Sequence, residues 1–549
     1  MYPEMVEYER TCRDFRWEVP EYYNFAFDMV ERWAEDAQQL AMLWVNERGD
    51  EKRFTFRDFA ARSNQVGNAL RTMGMRQGDR ILIILPRLPE WWEAVLGIMK
   101  IGAISVPGTT LLTPKDVAYR IQSAEAKAVI TDDEGALKVE QVADACPTLQ
   151  LKILLGGERE GWVNYTRVVA SASTNLKREA TRSDDPMMIY FTSGTVGYPK
   201  MVLHTHASFP IGHIVTGKYW LNLKPTDLHW NLSDTGWAKA AYSNLFGPWN
   251  MGAALFTFDG RGRFDARQTL ELLERYPIST FCAPPTAYRL LILEDLARYK
   301  LSTLRYCVGA GEPLNPEVIE SWQRGTGQTI RDGYGQTETA ILVANFPPMP
   351  VKPGSMGKPS PGFMIGVVDD EGREVPAGTE GDIAVKLTPA RPVGIFKEYW
   401  CNPEATANCI RGDWYITGDR AIKDVDGYLW FVGRADDVII SAGYRIGPFE
   451  VESALVEHPA VAEAAVVASP DTIRGEIVKA FVILAPGHQA SEQLGLDLQE
   501  HVKRVTAPYK YPREIEFTAE LPKTISGKIR RVELRQRERE RKAAGQPKE

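Results

Sequence analysis

The chain has 549 residues, too many for one compact core when domains usually run to roughly 100–200 residues each. Its 44% hydrophobic and 25% charged content is ordinary for a globular protein, and a net charge of −7 argues against a nucleic-acid reader, which would carry a concentrated basic face. No run approaches the ~18 uninterrupted apolar residues of a membrane span, so stable membrane insertion is not expected.

The opening stretch mixes acids and bases and lacks a signal peptide's apolar core, so a cytoplasmic enzyme is the expectation. Short apolar runs then alternate with helical patterns. Strands are predicted at Arg80–Pro86, Lys127–Thr131, Met187–Phe191 and Ala253–Phe258, and helices at Glu90–Met99, Pro114–Ala124 and Arg267–Tyr276. Thr113 before Pro114 reads as a helix cap. Such alternation implies βαβ units and layered, largely parallel sheets with helices, an α/β fold. Beyond about residue 430 the pattern becomes that of a small α+β domain, with helices at Glu450–His458 and Asp497–Val505 and strands at Val461–Ser469 and Val478–Leu484. The expected division is 1–434 for a large domain and 435–549 for a small mobile one, with the charged segment Arg434–Asp437 as the hinge. From Arg530 onward the two signs of charge predict a solvated helix that frays.

Six cysteines without CxxC spacing read as reduced thiols, several of them buried. His204, His206 and His213 lack the HExxH pattern and any acidic partner between them, so they are not assigned a metal.

The strongest local signal is Ile189–Lys200, IYFTSGTVGYPK, in which a strand-like run ends in glycines, hydroxyls and a lysine. Glycine lets the backbone approach a phosphate, hydroxyls and amides donate hydrogen bonds, and lysine adds a point charge. It is not a Walker A loop, which requires GxxxxGK followed by Ser or Thr, because Lys200 lies between Pro199 and Met201.

This segment resembles the phosphate-loop signature of the adenylate-forming superfamily of acyl-CoA synthetases, peptide-synthetase adenylation domains and luciferases. Six further motifs follow in the family's order: Gly309–Pro313 (GAGEP), Asp332–Glu338 (DGYGQTE), Tyr415–Asp419 (YITGD), Phe431–Asp437 (FVGRADD), Ser441–Arg445 (SAGYR) and Pro522–Lys528 (PKTISGK). Asn231–Trp237 (NLSDTGW) is similar to the acetyl- and medium-chain acyl-CoA synthetase branch.

The resemblance implies a large ATP- and acyl-binding domain, a small lid, and a two-step reaction. A carboxylate and ATP give acyl-adenylate and pyrophosphate; coenzyme A then gives acyl-CoA and AMP. By similarity, Thr192, Ser193, Gly194, Thr195, Gly197 and Lys200 would hold the β- and γ-phosphates. Thr337 would place a hydroxyl on the α-phosphate, and Glu338 would bind Mg2+, a hard cation that favours oxygen ligands. Gly311, Glu312, Pro313, Asp332, Gly333, Tyr334 and Gln336 correspond to the adenine pocket and its flanks. Asp419 would accept the ribose hydroxyls, with Arg434 as a second ribose contact. Lys528 would align the attacking carboxylate with the α-phosphate. Asp436 matches the hinge, Gly443 the pantetheine tunnel, and Arg445 a phosphate contact in one of two lid positions.

Trp237 is expected to shape the acyl pocket, with Gly335, Gly333 and Tyr242 beside it, leaving medium-chain, short branched and aromatic acids open. Val196 and Tyr198 depart from the family's phosphate loop, the first removing a potential donor. The alternative is a stand-alone amino- or aryl-acid adenylation enzyme loading a carrier protein, with Asp234 as amine-binding carboxylate. A luciferase-like oxygenation ranks third, and no nucleic-acid partner is expected.

Overall fold

The computed structural model describes residues 4–192, 199–262, 264–441, 444–471, 474–524 and 527–543. Two large sheets form the first four hundred residues. One has eight strands, and its centre runs Pro186–Phe191, Ile104–Pro107, Arg80–Ile84, Ala128–Thr131 and Leu151–Leu154, all parallel. Met201–Thr205 then closes antiparallel on Pro186–Phe191. The other sheet has nine strands. Its parallel centre runs Leu40–Asn46, Ala254–Asp259, Leu228–Asn231, Thr280–Ala283, Tyr306–Ala310 and Ile330–Tyr334. Residues such as Ile81–Ile84 and Met187–Tyr190 are buried throughout, as expected where helices cover both faces of a parallel sheet.

The helix bounds follow their caps. Pro114–Ala124 forms as predicted, with Thr113 Oγ1 accepting from the Asp116 backbone N–H at 3.3 Å and Asp116 Oδ2 accepting from the Thr113 N–H at 3.0 Å. Ala266–Arg275 starts one residue before the predicted helix, because Asp265 Oδ1 caps the Gln268 N–H at 3.0 Å. No helix among the described residues is long and apolar enough to cross a membrane.

A five-stranded sheet containing Glu380–Lys386, Trp414–Lys423 and Leu429–Arg434 follows. The next strand, Ile439–Ser441, belongs to a separate sheet with Tyr444–Ile446, Gly475–Leu484, Val461–Asp471 and Glu514–Phe517. Helices Pro448–Val456 and Glu492–Val505 contribute to its core through Val451, Leu455, Leu498 and Val502. The second helix begins before its predicted start, since Ser491 Oγ caps the Leu494 N–H at 3.1 Å.

The tail corrects its expectation. Helix Arg531–Ala543 packs on the strand Val461–Asp471, and Leu534 and Glu538 are each 2% exposed. Glu538 accepts from Lys479 Nζ at 2.5 Å and from Ser469 Oγ at 2.9 Å, while Arg531 pairs with Glu452 at 2.7 Å and Arg541 with Glu514 at 2.8 Å. Charges three to four residues apart share one helix face, so ion pairs bury this face alongside Leu534. Without Glu538 the buried Lys479 keeps only the partly exposed Glu516 at 2.6 Å as an ion-pair partner among the described residues. Glu538→Ala is therefore expected to destabilise the C-terminal unit by about 1.5–3 kcal/mol, and Glu538→Leu combined with Lys479→Met to recover most of it. Denaturant unfolding of the three proteins measures this, and an unchanged midpoint for Glu538→Ala would remove the anchoring role.

Candidate active site

A cleft of about 1670 Å³ lies between the large sheets and the C-terminal unit. Trp237, Tyr242, Gln336 and Thr337 line one side, and Thr524 and Lys528 the other. The Thr524 N–H donates to the Lys528 carbonyl at 2.7 Å, and Gly527, just before Lys528, adopts φ +86°. The Lys528 side chain is exposed in the cleft, and its charge acts on Asp419 and Lys239.

The phosphate-loop segment joins two antiparallel strands, so it is a hairpin connection and not the strand-to-helix passage of a Walker A loop. Its neck is closed by Thr192: the Thr192 N–H donates to the Lys200 carbonyl at 2.9 Å, and Thr192 Oγ1 accepts from the Lys200 N–H at 3.2 Å. Ser193, Gly194, Thr195 and Gly197, with Val196 and Tyr198, lie outside the described residues. Lys200 Nζ sits 4.7 Å from the Tyr399 ring centre, a cation–π contact.

Tyr399 links that lysine to Glu338, since its hydroxyl donates to Glu338 Oε1 at 2.8 Å. Burial pushes the Glu338 carboxyl above its ordinary range, with Tyr399, Arg434 and Lys200 partly opposing the shift. A carboxylate desolvated in this way gains from a cation. Mg2+ is commonly held by one or two carboxylates plus substrate phosphates, not by an all-protein cage, so a lone Glu338 beside a phosphate loop fits it. Among the described residues no cluster of three His, Cys, Asp or Glu side chains offers a metal cage.

His204 was not given a role by the sequence. Its Nε2 lies 2.8 Å from the Thr337 carbonyl and its Nδ1 3.1 Å from Ser208 Oγ, and burial lowers its pKa to about 3. A neutral ring that donates from Nε2 and accepts at Nδ1 satisfies both partners, and it ties the strand following Lys200 to the Thr337–Glu338 turn.

Asp419 stands behind Gln336, outside the residues that line the cleft. Its Oδ2 accepts from Tyr334 Oη at 2.6 Å and from Gln336 Nε2 at 2.7 Å, and Arg434 stands opposite in the register with Nε 3.8 Å from Oδ1. Gln336 is itself fixed, donating to the Thr417 carbonyl at 2.9 Å and accepting from Tyr415 Oη at 3.0 Å. Burial raises the Asp419 carboxyl despite these partners. Tyr334, expected only as an aromatic face, thus also orients Asp419.

Asp332 is buried and accepts from the Gly333 N–H at 2.9 Å. Glu312 accepts from Thr286 Oγ1 at 2.8 Å and pairs with Arg289 at 3.0 Å, beside Pro313 and Gly311 with φ +106°. Gly335 is a site of close approach, where a Cβ would meet the Ala340 carbonyl at 2.7 Å.

The SDTGW loop is rigid. A Cβ on Gly236 would lie 2.0 Å from the Thr109 backbone nitrogen, and Thr235 Oγ1 donates to the Leu85 carbonyl at 2.6 Å. Asp234 Oδ1 accepts from the Gly236 N–H at 2.8 Å. The loop presents Trp237, Lys239 and Tyr242 to the cleft, and Lys239 is a second residue that the sequence did not single out. Asp436 and Arg445 are exposed and are not brought to the cleft wall, and Gly443 lies outside the described residues.

Comparison with known proteins shows the family. Residues 30–400 match the AMP-binding enzyme family and residues 450–528 its C-terminal domain. Acyl-coenzyme A synthetase ACSM3, mitochondrial, is 50% identical in Homo sapiens, covering 97% of this chain and 92% of that protein. Acyl-coenzyme A synthetase ACSM5, mitochondrial, of Homo sapiens is 49% identical over 95% and 91%. Among solved structures, the anthranilate CoA ligase AuaEII in complex with anthranoyl-AMP has a TM-score of 0.89 at 35% identity, covering 96% of this chain and 99% of that one. A benzoate CoA ligase from Burkholderia xenovorans has a TM-score of 0.82 at 29% identity, covering 93% and 100%. The cytoplasmic expectation is corrected here: these curated relatives are mitochondrial enzymes, so a start without a signal peptide's apolar core does not indicate the cytoplasm. The chain belongs to the AMP-binding enzyme family, in its acyl-CoA synthetase branch, whose members join a carboxylic acid to coenzyme A at the expense of ATP.

Proposed function

We propose that this synthetase activates a medium-chain, short branched or aromatic carboxylic acid, with Lys528, Thr337 and Glu338 at the reacting phosphate and Asp419 and Arg434 at the ribose. The observation that carries this reading is the meeting of Trp237, Gln336, Thr337 and Lys528 on one cleft. In the first step an oxygen of the acid attacks the α-phosphorus. A C(O)O–P bond forms, the α–β phosphoanhydride breaks, and its electron pair leaves with pyrophosphate. Two anions approach each other, so fixed cations and hydrogen-bond donors supply most of the rate. Lys528 aligns the carboxylate with the phosphorus, Thr337 donates to the α-phosphate, and Lys200 with the loop it closes holds the pyrophosphate. Mg2+ bound at Glu338 would neutralise phosphate charge.

In the second step the CoA thiol loses its proton, sulfur attacks the acyl carbonyl, and the C–O bond to AMP breaks. Lys528, while aligned on the carboxylate, would block that approach. Rotation of residues 435–549 about Asp436 clears it and brings Gly443 and Arg445 to the thiol path. The aromatic walls Trp237 and Tyr242, and the acids for which the similar anthranilate and benzoate ligases are named, support an acid of this size.

Incubation with ATP, CoA and an acid panel, scored as AMP and acyl-CoA, tests the reading; loading of a carrier protein without CoA would overturn it. Lys528→Ala is expected to slow adenylation by roughly a hundredfold or more while leaving thioesterification of supplied acyl-adenylate within about threefold. Equal losses in both half-reactions would refute the assigned role. Glu338→Gln is expected to raise the Mg2+ needed for half-maximal adenylation by about tenfold or more at an unchanged unfolding midpoint. An unaltered Mg2+ dependence would exclude Glu338 as the ligand.

A further inference from the structure

Lys239 lines the cleft on the short helix Ala238–Ala241, two residues after Trp237 and one turn before Tyr242. An ammonium has three donors. Among the described residues, Lys239 Nζ makes one hydrogen bond, to the Ala310 carbonyl at 2.9 Å. Cys282, Glu312 and Asp332 act on it electrostatically, and the two carboxylates among them are directed elsewhere. Glu312 is taken by Arg289 at 3.0 Å and Thr286 at 2.8 Å, and Asp332 accepts from the neighbouring Gly333 N–H at 2.9 Å. Lys528 adds a like charge from across the cleft. Burial accordingly lowers the Lys239 pKa.

The remaining donors of Lys239 therefore face a cavity walled by Trp237 and Tyr242. In the free protein water can satisfy them. An acid that fills the cavity displaces that water and must either replace its hydrogen bonds or strand a buried cation. A site built to hydrogen-bond a substrate group discriminates strongly against the analogue that lacks it, far more than an apolar wall does over one methylene. The helix cannot readily retreat, because the Gly236 backbone is wedged against Thr109.

We infer that Lys239 is a specificity-determining residue for acids that carry a hydrogen-bond acceptor, such as a keto, hydroxyl or second carboxylate group, away from the reacting carboxylate. The inference rests on the synthetase reading above and names the substrate class of the same site.

The test compares chain-matched acids with the full-length protein: hexanoate, 5-oxohexanoate, 5-hydroxyhexanoate and adipate, then benzoate and its hydroxybenzoates, scored as CoA-dependent AMP release. At least one acceptor-bearing acid is expected to exceed its plain parent by about tenfold or more in kcat/KM. Lys239→Met is expected to reduce that ratio to within about twofold by raising the KM of the acceptor-bearing acid, with the ATP KM unchanged. Lys239→Gln keeps a donor for the Ala310 carbonyl and is expected to retain discrimination for the neutral keto and hydroxy acids while losing it for adipate. A wild-type enzyme that treats each acid like its parent overturns the inference and leaves the synthetase reading intact. So does a Lys239→Met or Lys239→Gln protein whose loss lies in the ATP KM and is equal for every acid. Absence of CoA-dependent AMP release with all acids overturns both.

Discussion

The hydrogen bonds from Tyr334 and Gln336 to Asp419 hold the site together, because their donors and acceptor come from different sheets. Tyr334 ends a strand of the nine-stranded sheet, and Asp419 lies in the five-stranded sheet that follows. Arg434 faces Asp419 across the same strand pair and is the last strand residue before the C-terminal unit. The position of that unit, and of Lys528 with it, thus depends on where Asp419 is held. A carboxylate this deeply buried is tolerated only with charge-assisted partners, and Tyr334, Gln336 and Arg434 supply them.

The other buried charges at and behind the cleft wall share the same condition. Burial moves Glu338, Asp419 and Lys239 toward their neutral forms, which means that each charged form is under-compensated by the protein alone. A polyanionic nucleotide with its cation, a ribose, and a polar acid are groups that would restore the balance. Preorganised dipoles and charges of this kind do not have to reorient as the reaction proceeds, which is the main source of electrostatic catalysis. His204 extends the logic to a neutral group. It fixes the Thr337 carbonyl without adding a charge beside it.

Most of the fold was legible because its signals are local. Thr113 and Asp116 specify a helix start, and the short continuous apolar run Met187–Phe191 reads as a strand covered on both faces. The motif residues were legible by resemblance, and several of them do meet on one cleft. What escaped was relational. His204 sits in a buried strand, and nothing in its neighbours indicates a partner 133 positions away. Tyr399 and Lys239 acquire meaning only from Glu338 and Ala310, which lie far along the chain. The helix Arg531–Ala543 was misread because its buried face is made of Arg, Glu and Leu, and a pattern search looks for apolar stripes.

That same helix bears on how the lid would move. Its ion pairs close within the C-terminal unit, to Asp437, Glu452, Lys479 and Glu514, so they stiffen the body that carries the Lys528 turn. Across the boundary the contacts are weaker. Asn315 donates to Ser453 Oγ at 3.0 Å, a neutral pair worth roughly 1 kcal/mol. Glu457 is pushed above its ordinary range by burial and by the like charges of Glu317 and Glu320 on the large domain. A stiff unit on such a boundary, which also carries the Phe431–Phe449 ring pair and the close approach of Gly447 to Val432, would rotate as a whole instead of deforming. The bend would then fall on the stretch between the last strand of one sheet, ending at Arg434, and the first of the next, beginning at Ile439. Asp436 is exposed within that stretch, free of the packing that would resist a change in its backbone angles, whereas its neighbour Asp437 is held by Arg535 and would move with the lid.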